Sequence, residues 1–280
     1  MKIKKASDNV RKNSPIIHNI TNYVTVNDVA NVLLACGASP IMADDKNEVE
    51  EITSICNGLN LNIGTLNERT VESMMIAGKK ASQLGHVINL DPVGAGASRI
   101  RTQTAAELIR ELDITTIRGN ISEIKAVASE LGIFKSDSKA KGVDADAVDL
   151  VTEENLEQSI QLIKEFAKET RTVTCVTGAI DIITDGKSAY VIRNGRPEMS
   201  KITGTGCQLS SLVCAFTAAN KDDILSGATA AVVTMGVAGE IAFEHLKEGE
   251  GNSTYRNRII DAIYNMTGDK LKERGKYEER

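Results

Sequence analysis

Short apolar runs of strand length alternate along the chain with longer segments in which apolar residues recur at helical spacing. This alternation is typical of βα units, in which a mostly parallel sheet is buried on both faces by helices. The predicted strands are residues 15–20, 39–42, 59–63, 86–90, 114–117, 172–176, 180–184 and 188–193. The predicted helices are residues 24–36, 49–57, 67–84, 104–112, 122–131, 153–170, 224–245 and 256–266, together with one that starts in the stretch 201–207 and runs to about residue 220.

Three segments depart from the regular alternation. The last two predicted strands flank Asp185-Gly186, a two-residue turn signal that predicts an antiparallel hairpin at the sheet edge. Residues 135–150 are polar and repetitive, which predicts a surface excursion rather than a domain boundary. The tail 269–280 mixes five basic and four acidic residues and is predicted to be a solvated helix end. We therefore expect a single α/β domain over residues 1–280.

Composition and charge narrow the class of partner. The formal net charge of −5 gives no electrostatic footprint for nucleic acid or an anionic membrane, and no run approaches the roughly 20 apolar residues of a membrane span. The five cysteines show neither paired spacing nor histidine-spaced ligand patterns. The N-terminus lacks the pattern of a signal peptide. These features favour small-molecule partners and a reducing cytoplasm.

A glycine-rich stretch, residues 201–207, leads directly into an apolar segment at residues 209–219. This arrangement predicts a loop that opens a helix, where free backbone N–H groups bind an anion such as a phosphate. Cys207 falls in the first helical turn, where the helix dipole favours a thiolate. When this stretch is taken alone, an ordinary glycine turn beside a buried cysteine is the favoured interpretation.

Polar residues also follow several predicted parallel strands, which end at one edge of the sheet. Asp91 follows the strand 86–90 and could hold Mg²⁺ directly or through water, and Glu123 could serve the same cation. Arg118 follows the strand 114–117 and suits a phosphate, while Thr177 follows the strand 172–176. Singly, these residues fit ordinary turns and helix starts. Together with the glycine-rich stretch they supply the parts that phosphoryl transfer needs.

Two well-known phosphate motifs match only in part. Residues 181–188 end like a P-loop, but Asp181 stands where the first glycine belongs and the segment is a predicted hairpin. Residues 94–99 begin like a dinucleotide fingerprint, but Arg99 replaces the third glycine. A P-loop enzyme and a dinucleotide oxidoreductase are therefore both disfavoured.

Six short motifs, taken in order, resemble those of the hydroxyethylthiazole kinases of thiamine salvage, which are ribokinase-like kinases. They are HNITN at 18–22, SPIMAD at 39–44, DPVGAG at 91–96, RGNISE at 118–123, VTG at 176–178 and GTGC at 204–207. The resemblance implies a ribokinase-like three-layer sandwich, with a mostly parallel sheet, an antiparallel edge hairpin and helices on both faces. It also implies ATP-dependent phosphorylation of the hydroxyl of 4-methyl-5-(2-hydroxyethyl)thiazole.

The resemblance assigns roles by position. It places Met42, Gly204 and Asn19 at the thiazole, Arg118 and Thr177 at ATP, Asp91 and Glu123 at Mg²⁺, and Gly204, Gly206 and Cys207 in the catalytic loop. It further implies a homotrimer with sites between neighbouring subunits. Most ribokinase-like kinases carry an aspartate base where Cys207 stands, so Cys207 is catalytic by position and its chemical role stays open.

Two groups of alternatives remain. A hydroxymethylpyrimidine kinase, a sugar kinase or a repair enzyme for hydrated nicotinamide nucleotides would share the phosphate end, but should lack the motifs at 18–22 and 39–42. A catalytically silent nucleotide sensor would bind ATP without turnover. The two candidate Mg²⁺ carboxylates and the glycine-rich stretch count against such a sensor.

Overall fold

The computed structural model describes residues 2–134 and 150–280, so most of the predicted surface excursion at 135–150 lies outside the described residues. The strands are β1 Ile16–Ile20, β2 Ser39–Met42, β3 Gly58–Asn62, β4 Val87–Asp91, β5 Thr116–Gly119, β6 Val173–Val176, β7 Asp181–Thr184, β8 Ala189–Ile192 and β9 Tyr277–Glu279. They form one sheet in the order β2-β1-β3-β4-β5-β6-β7-β8-β9. Strands β1 to β6 pair in parallel, and β7, β8 and β9 are added antiparallel.

Helices cover both faces of the sheet, which confirms the predicted three-layer α/β sandwich. They are α1 Lys2–Asn13, α2 Val26–Cys36, α3 Val49–Ser54, α4 Glu68–Leu84, α5 Arg99–Glu111, α6 Ile121–Leu131, α7 Leu156–Thr170, α8 Thr205–Ala218, α9 Ile224–Glu244, α10 Asn252–Tyr264 and α11 Gly268–Arg274. One core cluster packs residues of α1, α2, α8, α9 and α10 on one face. The other packs residues of α4, α5, α6 and α7 on the opposite face.

The chain termini differ from expectation. The charged N-terminus forms helix α1, whose Ile3, Ala6 and Val10 are buried at helical spacing. The C-terminal tail was predicted to be a helix end throughout, and this is wrong beyond Arg274. Residues 277–279 instead form β9 and pair with β8. The sheet therefore has one more antiparallel strand than the predicted hairpin supplies.

The hairpin itself is present, but its predicted two-residue loop is wrong. Thr184 pairs with Ala189, so four residues connect β7 to β8. The Asp185 carboxylate accepts the N–H groups of Lys187 and Ser188, both at 2.9 Å. This side-chain bonding closes the loop in place of a tight turn.

The helix predicted at 224–245 is present as α9 and lies in the protein interior. Although the sequence shows no unbroken apolar run of membrane-spanning length, α9 is, among the described residues, the one helix long and apolar enough overall to cross a membrane. However, 83% of its apolar window is buried inside the protein. It packs mainly against α8, α10 and α1. It is therefore a core helix by its contacts.

A ladder of buried amides crosses the centre of the sheet. Asn19, Asn60, Asn89 and Thr116 are in register on neighbouring parallel strands. Each of the last three donates to the residue before it, at 3.1 Å from Asn60 to Asn19, 2.9 Å from Asn89 to Asn60 and 2.7 Å from Thr116 to Asn89. The next residues on the same face of β3 and β4 are Asn62 and Asp91, which are also in register. Because side chains two residues apart along a strand share a face, these two point the same way as the ladder, at the carboxyl edge of the sheet.

Candidate active site

Asp91 is the last residue of β4 and is fully buried at this edge. Its Oδ2 accepts hydrogen bonds from Asn62 Nδ2 on β3 and Ser210 Oγ on α8, both at 2.7 Å. Its Oδ1 has no hydrogen-bond partner among the described residues, and Arg118 Nη1 lies 3.9 Å away. Burial raises the pKa of Asp91 to about 6, although the Arg118 charge opposes this. The site therefore contains a carboxylate with one uncommitted oxygen.

Arg118 extends from β5 over the first turn of α8. Its Nη2 donates to Thr177 Oγ1, and a Cβ added at Gly206 would lie 2.5 Å from its Nη1. The guanidinium thus lies against the backbone at the N-terminal end of α8. Its positive charge is therefore close to the positive end of the helix dipole. Its Nε is buried without a partner among the described residues. This arrangement suits an anionic ligand with several oxygens.

Gly204 is the N-cap of α8 and explains why the glycine-rich stretch opens a helix. Its φ of +84° lies in the left-handed region, which side chains rarely adopt. A Cβ at this position would lie 2.2 Å from Thr25 Cγ2. Gly204 therefore lets the loop approach the segment that precedes α2.

Glu123 lies in the first turn of α6 and connects the loop after β4 to the loop after β5 by hydrogen bonds. Its Oε2 accepts the Asn120 N–H and its Oε1 accepts the Gly94 N–H, both at 2.8 Å. Asn120 in turn caps α6 by accepting the Glu123 N–H at 2.8 Å. The negative charge of Glu123 contributes to the raised pKa of Asp91. Glu123 thus holds the loop after Asp91 and adds negative charge beside it.

Cys207 is 9% exposed and belongs to a network of amides. Asn22 Nδ2 donates to Cys207 Sγ at 3.2 Å and to Asn62 Oδ1 at 2.9 Å, so the cysteine is connected to Asp91 through two asparagines. Burial, and next the Asp91 charge, raise the pKa of Cys207. The direction is opposite to that expected for a helix N-terminus. The thiol is therefore the favoured form near neutral pH.

The structure places the other residues of the two N-terminal motifs around this network. Asn19 is 2% exposed and its amide bonds to Asn60 and to the Ile17 carbonyl, so it supports the sheet beneath the edge. Met42 is partly buried, in register with Asn19 at the end of β2. His18 bonds Thr53 Oγ1 and the Ala43 carbonyl, each at 2.9 Å, and burial lowers its pKa. The imidazole thereby fixes the segment that follows Met42.

A cavity of about 560 Å³ opens beside Arg118. Three predicted residues, Arg118, Thr177 and Gly206, line it. Asn19, Met42, Asp91, Glu123, Gly204 and Cys207 do not. The rest of the cavity wall was not predicted from the sequence and includes Asp181, Asn194, Gly195, Pro197, Met199, Leu209, Val232 and Met235. The Asn194-Gly195 turn signal was the one local hint, because the wall is assembled from distant segments.

Asp181 is the buried acid of this cavity. Its Oδ1 accepts the Gly178 N–H at 2.9 Å, which fixes the turn that carries Thr177. Burial raises the pKa of Asp181 to about 7, against the lowering effects of the Gly178 hydrogen bond and the Arg118 charge. The carboxyl group thus shapes the cavity wall next to the guanidinium.

Comparison with known proteins gives a consistent result. The sequence profile of the hydroxyethylthiazole kinase family matches residues 8–269. The hydroxyethylthiazole kinase of Clostridium acetobutylicum is 57% identical over 276 residues, covering 99% of each chain, and that of Methanobrevibacter smithii is 40% identical over 271 residues, covering 96% of this chain and 94% of the relative.

Solved structures extend the likeness to the fold. The hydroxyethylthiazole kinase protein from Pyrococcus horikoshii OT3 has a TM-score of 0.86 at 34% identity, with both chains fully covered. A pyridoxal kinase from Staphylococcus aureus in complex with ADP has a TM-score of 0.60 at 12% identity, covering 95% of this chain and 98% of the other. A ribokinase-like superfamily protein from Enterococcus faecalis has a TM-score of 0.63 at 9% identity, covering 94% and 89%. The predicted ribokinase-like fold is confirmed.

Proposed function

The chain belongs to the hydroxyethylthiazole kinase family, and we propose that it transfers the γ-phosphoryl group of ATP to the hydroxyl of 4-methyl-5-(2-hydroxyethyl)thiazole in thiamine salvage. One observation carries the proposal. Arg118 lies against Gly206 at the start of α8, with the cavity on one side and the Asp91 and Cys207 network on the other. A phosphoryl group bound there would sit between a nucleotide and an acceptor.

The cavity has the character of a nucleotide site. Its volume of about 560 Å³ falls in the range of ligand pockets. Apolar side chains of Pro197, Met199, Val232 and Met235 line it and suit a flat base, while Arg118 and Thr177 suit the phosphates. Because the apolar residues suit the base and the polar residues suit the phosphates, we assign ATP to this cavity.

The residues around Asp91 fit a divalent cation that accompanies the nucleotide. Asp91 offers one uncommitted buried oxygen, and Glu123 adds a second negative charge close by. Mg²⁺ commonly binds through one or two carboxylates together with waters and phosphates. When bound, it would neutralise charge on the transferring phosphoryl group. Asp91 would hold the cation, and Glu123 would keep the loop after Asp91 in place.

The acceptor is assigned to the side of α8 that carries Cys207. Gly204 and Asn22 border this position, and Met42 ends the neighbouring edge strand. Because Cys207 is a thiol, we infer that it orients the acceptor hydroxyl and does not abstract its proton. Phosphoryl transfer makes little demand on a base when charge and positioning are supplied.

We also propose a cytoplasmic homotrimer in which each chain is one kinase domain. Tyr23, Val24 and Val26 are 78%, 58% and 37% exposed and directly adjoin Asn22 and Thr25. Apolar exposure of this kind beside a site fits a neighbouring subunit that completes it. All five cysteines are free, which fits a reducing compartment. Sedimentation should give three times the 30.1 kDa chain mass, and a monomer would contradict the assembly.

The test of function is thiazole-dependent release of ADP from MgATP. Hydroxymethylpyrimidine and simple sugars serve as comparison acceptors, and EDTA tests the cation. We expect rapid ADP release with hydroxyethylthiazole alone among these acceptors, abolished by EDTA. ATP binding without release would support a silent sensor and reject the kinase, while faster release with another acceptor would reject the thiazole assignment.

A further inference from the structure

Glu240 is a buried carboxylate on α9 that lies outside the cavity and outside every sequence motif. It is 8% exposed. Its Oε1 accepts three hydrogen bonds, from the Gly195 N–H at 3.0 Å, Lys276 Nζ at 3.1 Å and Asn194 Nδ2 at 3.2 Å. Two of the donors belong to the cavity wall and the third to the C-terminal segment. A single oxygen thus joins three separate parts of the chain.

Asn194 completes the connection between the wall and the C-terminus. Its Nδ2 also donates to the Arg274 carbonyl at 3.0 Å, and its Oδ1 accepts the Lys276 N–H at 2.7 Å. The Arg193 N–H donates to the Lys276 carbonyl at 2.9 Å. Every polar atom of the Asn194 side chain is therefore committed to α9 or to the segment that leads into β9.

The backbone around this connection has little room to shift. A Cβ added at Gly236 of α9 would lie 2.6 Å from Asn194 Cβ, so α9 packs directly against the part of the cavity wall that contains Asn194. Gly195 has a φ of +116°, a conformation that few other residues adopt. The position of the wall is consequently set by its hydrogen bonds to Glu240 and to the C-terminal segment.

We propose that Glu240 is a positioning residue for the nucleotide, and that through Asn194 it couples nucleotide binding to the docking of β9. The inference rests on the proposed assignment of ATP to the cavity. Glu240 touches no substrate; it holds Asn194 and Gly195 where the nucleotide meets them. Coupling of this kind is reciprocal, so a docked β9 favours nucleotide binding and a bound nucleotide favours docking.

The sheet order makes the effect selective. Strands β8 and β9 form one edge, whereas β1 and β2, which carry the thiazole side, form the other. Loss of Glu240 should therefore change the KM for ATP and leave the KM for hydroxyethylthiazole nearly unchanged. A defect in overall folding would lower kcat or affect both KM values.

The first experiment compares Glu240→Ala with Glu244→Ala. Glu244 lies one turn further along α9 and pairs with Arg274 of the same C-terminal segment, but the described contacts do not join it to the cavity wall. Loss of a buried acceptor should raise the KM for ATP about tenfold in Glu240→Ala. Glu244→Ala should stay within about twofold, the effect expected of an exposed ion pair. Glu240→Gln keeps an acceptor oxygen and should restore most of the affinity.

Equal ATP KM values in the two alanine variants, or parallel rises for both substrates, would overturn the inference. Nucleotide binding to the wild-type chain is measured separately by calorimetry with ADP. Absence of that binding rejects the proposed function. Normal wild-type binding with no effect at Glu240 rejects the coupling alone.

The second experiment uses the wild-type chain and so does not depend on how a variant folds. Hydrogen exchange is followed at the amides of residues 276–280 with ADP, with hydroxyethylthiazole and with neither. Coupling predicts slower exchange with ADP, and no change with the thiazole. Unchanged exchange under saturating ADP would refute it.

Discussion

Replacement of Asp91 by asparagine should strongly reduce turnover and yet stabilise the ligand-free protein. The carboxylate is fully buried, with one oxygen lacking a partner among the described residues. An asparagine keeps the shape, and its Oδ1 still accepts the hydrogen bonds that Asn62 and Ser210 now give to Oδ2. The substitution therefore removes a poorly solvated charge and retains its two hydrogen bonds.

The magnitude follows from the pKa of Asp91. Burial raises it from 3.8 to about 6, which corresponds to about 3 kcal/mol in the free energy of unfolding. Because the folded-state pKa exceeds the unfolded one, the native protein binds more protons between pH 4 and pH 6, and its stability falls as pH rises through that window. Asparagine has no such dependence. The free energy of unfolding of Asp91→Asn should therefore exceed that of the wild type by about 3 kcal/mol at pH 8, and by about half as much at pH 5.

The assay is thermal unfolding without nucleotide and in EDTA, at pH 8 and pH 5. A gain of about 3 kcal/mol should raise the midpoint by about 5–10 °C at pH 8 in a chain of this size. Asp113→Asn changes an exposed carboxylate before β5 and is the matched control. It should leave the unfolding midpoint unchanged at both pH values. A variant no more stable than the wild type at pH 8, or a gap independent of pH, would refute the reasoning. Turnover should fall about 100-fold or more, since stabilisation of transition-state charge is lost.

Three further substitutions test the geometry of the site. Arg118→Ala should raise the KM for ATP about 10- to 100-fold and that for hydroxyethylthiazole less than about threefold, and equal losses would contradict the phosphate role. Cys207→Ser should keep kcat within about tenfold, because burial raises the pKa of the thiol, whereas a loss beyond about 1000-fold in initial rates would indicate an essential base. Gly204→Ala should lower stability in urea by about 2–4 kcal/mol, since its Cβ would meet Thr25 at 2.2 Å. Gly132→Ala, at a φ of +75° in open space, should lose only about 1 kcal/mol, and equal losses would show that contact with Thr25 is unimportant.

The parallel half of the fold was predictable because its signals are local. Each buried strand there reads as an apolar run, and two candidate site residues, Asp91 and Arg118, lie at the carboxyl ends of such strands. Once strands are parallel, their carboxyl ends share an edge, so adjacency in space follows from position in the sequence. That is why Arg118 and Thr177 could be grouped before their contacts were known.

Strand β9 and the cavity wall were not predictable in this way, although the β7–β8 hairpin was. Strand β9 is three residues long, and two of the three are charged. It forms because β8 offers an open edge for pairing, although Ile192 of β8 lies 85 residues before its partner Tyr277 in the sequence. Asn194 and Glu240 are likewise ordinary polar residues until α9 and the C-terminus bring them together. Such residues carry no periodic or motif signal, because their partners are distant in sequence.

The same burial that gives Asp91 its raised pKa also explains a cysteine at the helix start. Cys207 shares Asn22 with Asn62, and Asn62 holds Asp91, so a second carboxylate at position 207 would bring another buried negative charge into one amide network. A neutral thiol avoids that repulsion and leaves the negative charge of the network with Asp91. Under the proposed function, the acceptor hydroxyl would keep its proton until late in the transfer, and catalysis would depend on Arg118, the α8 backbone and the cation that Asp91 would hold. Under the same proposed function, orientation by Cys207 and charge stabilisation by its neighbours would take the place of the carboxylate base that an aspartate would supply at this position.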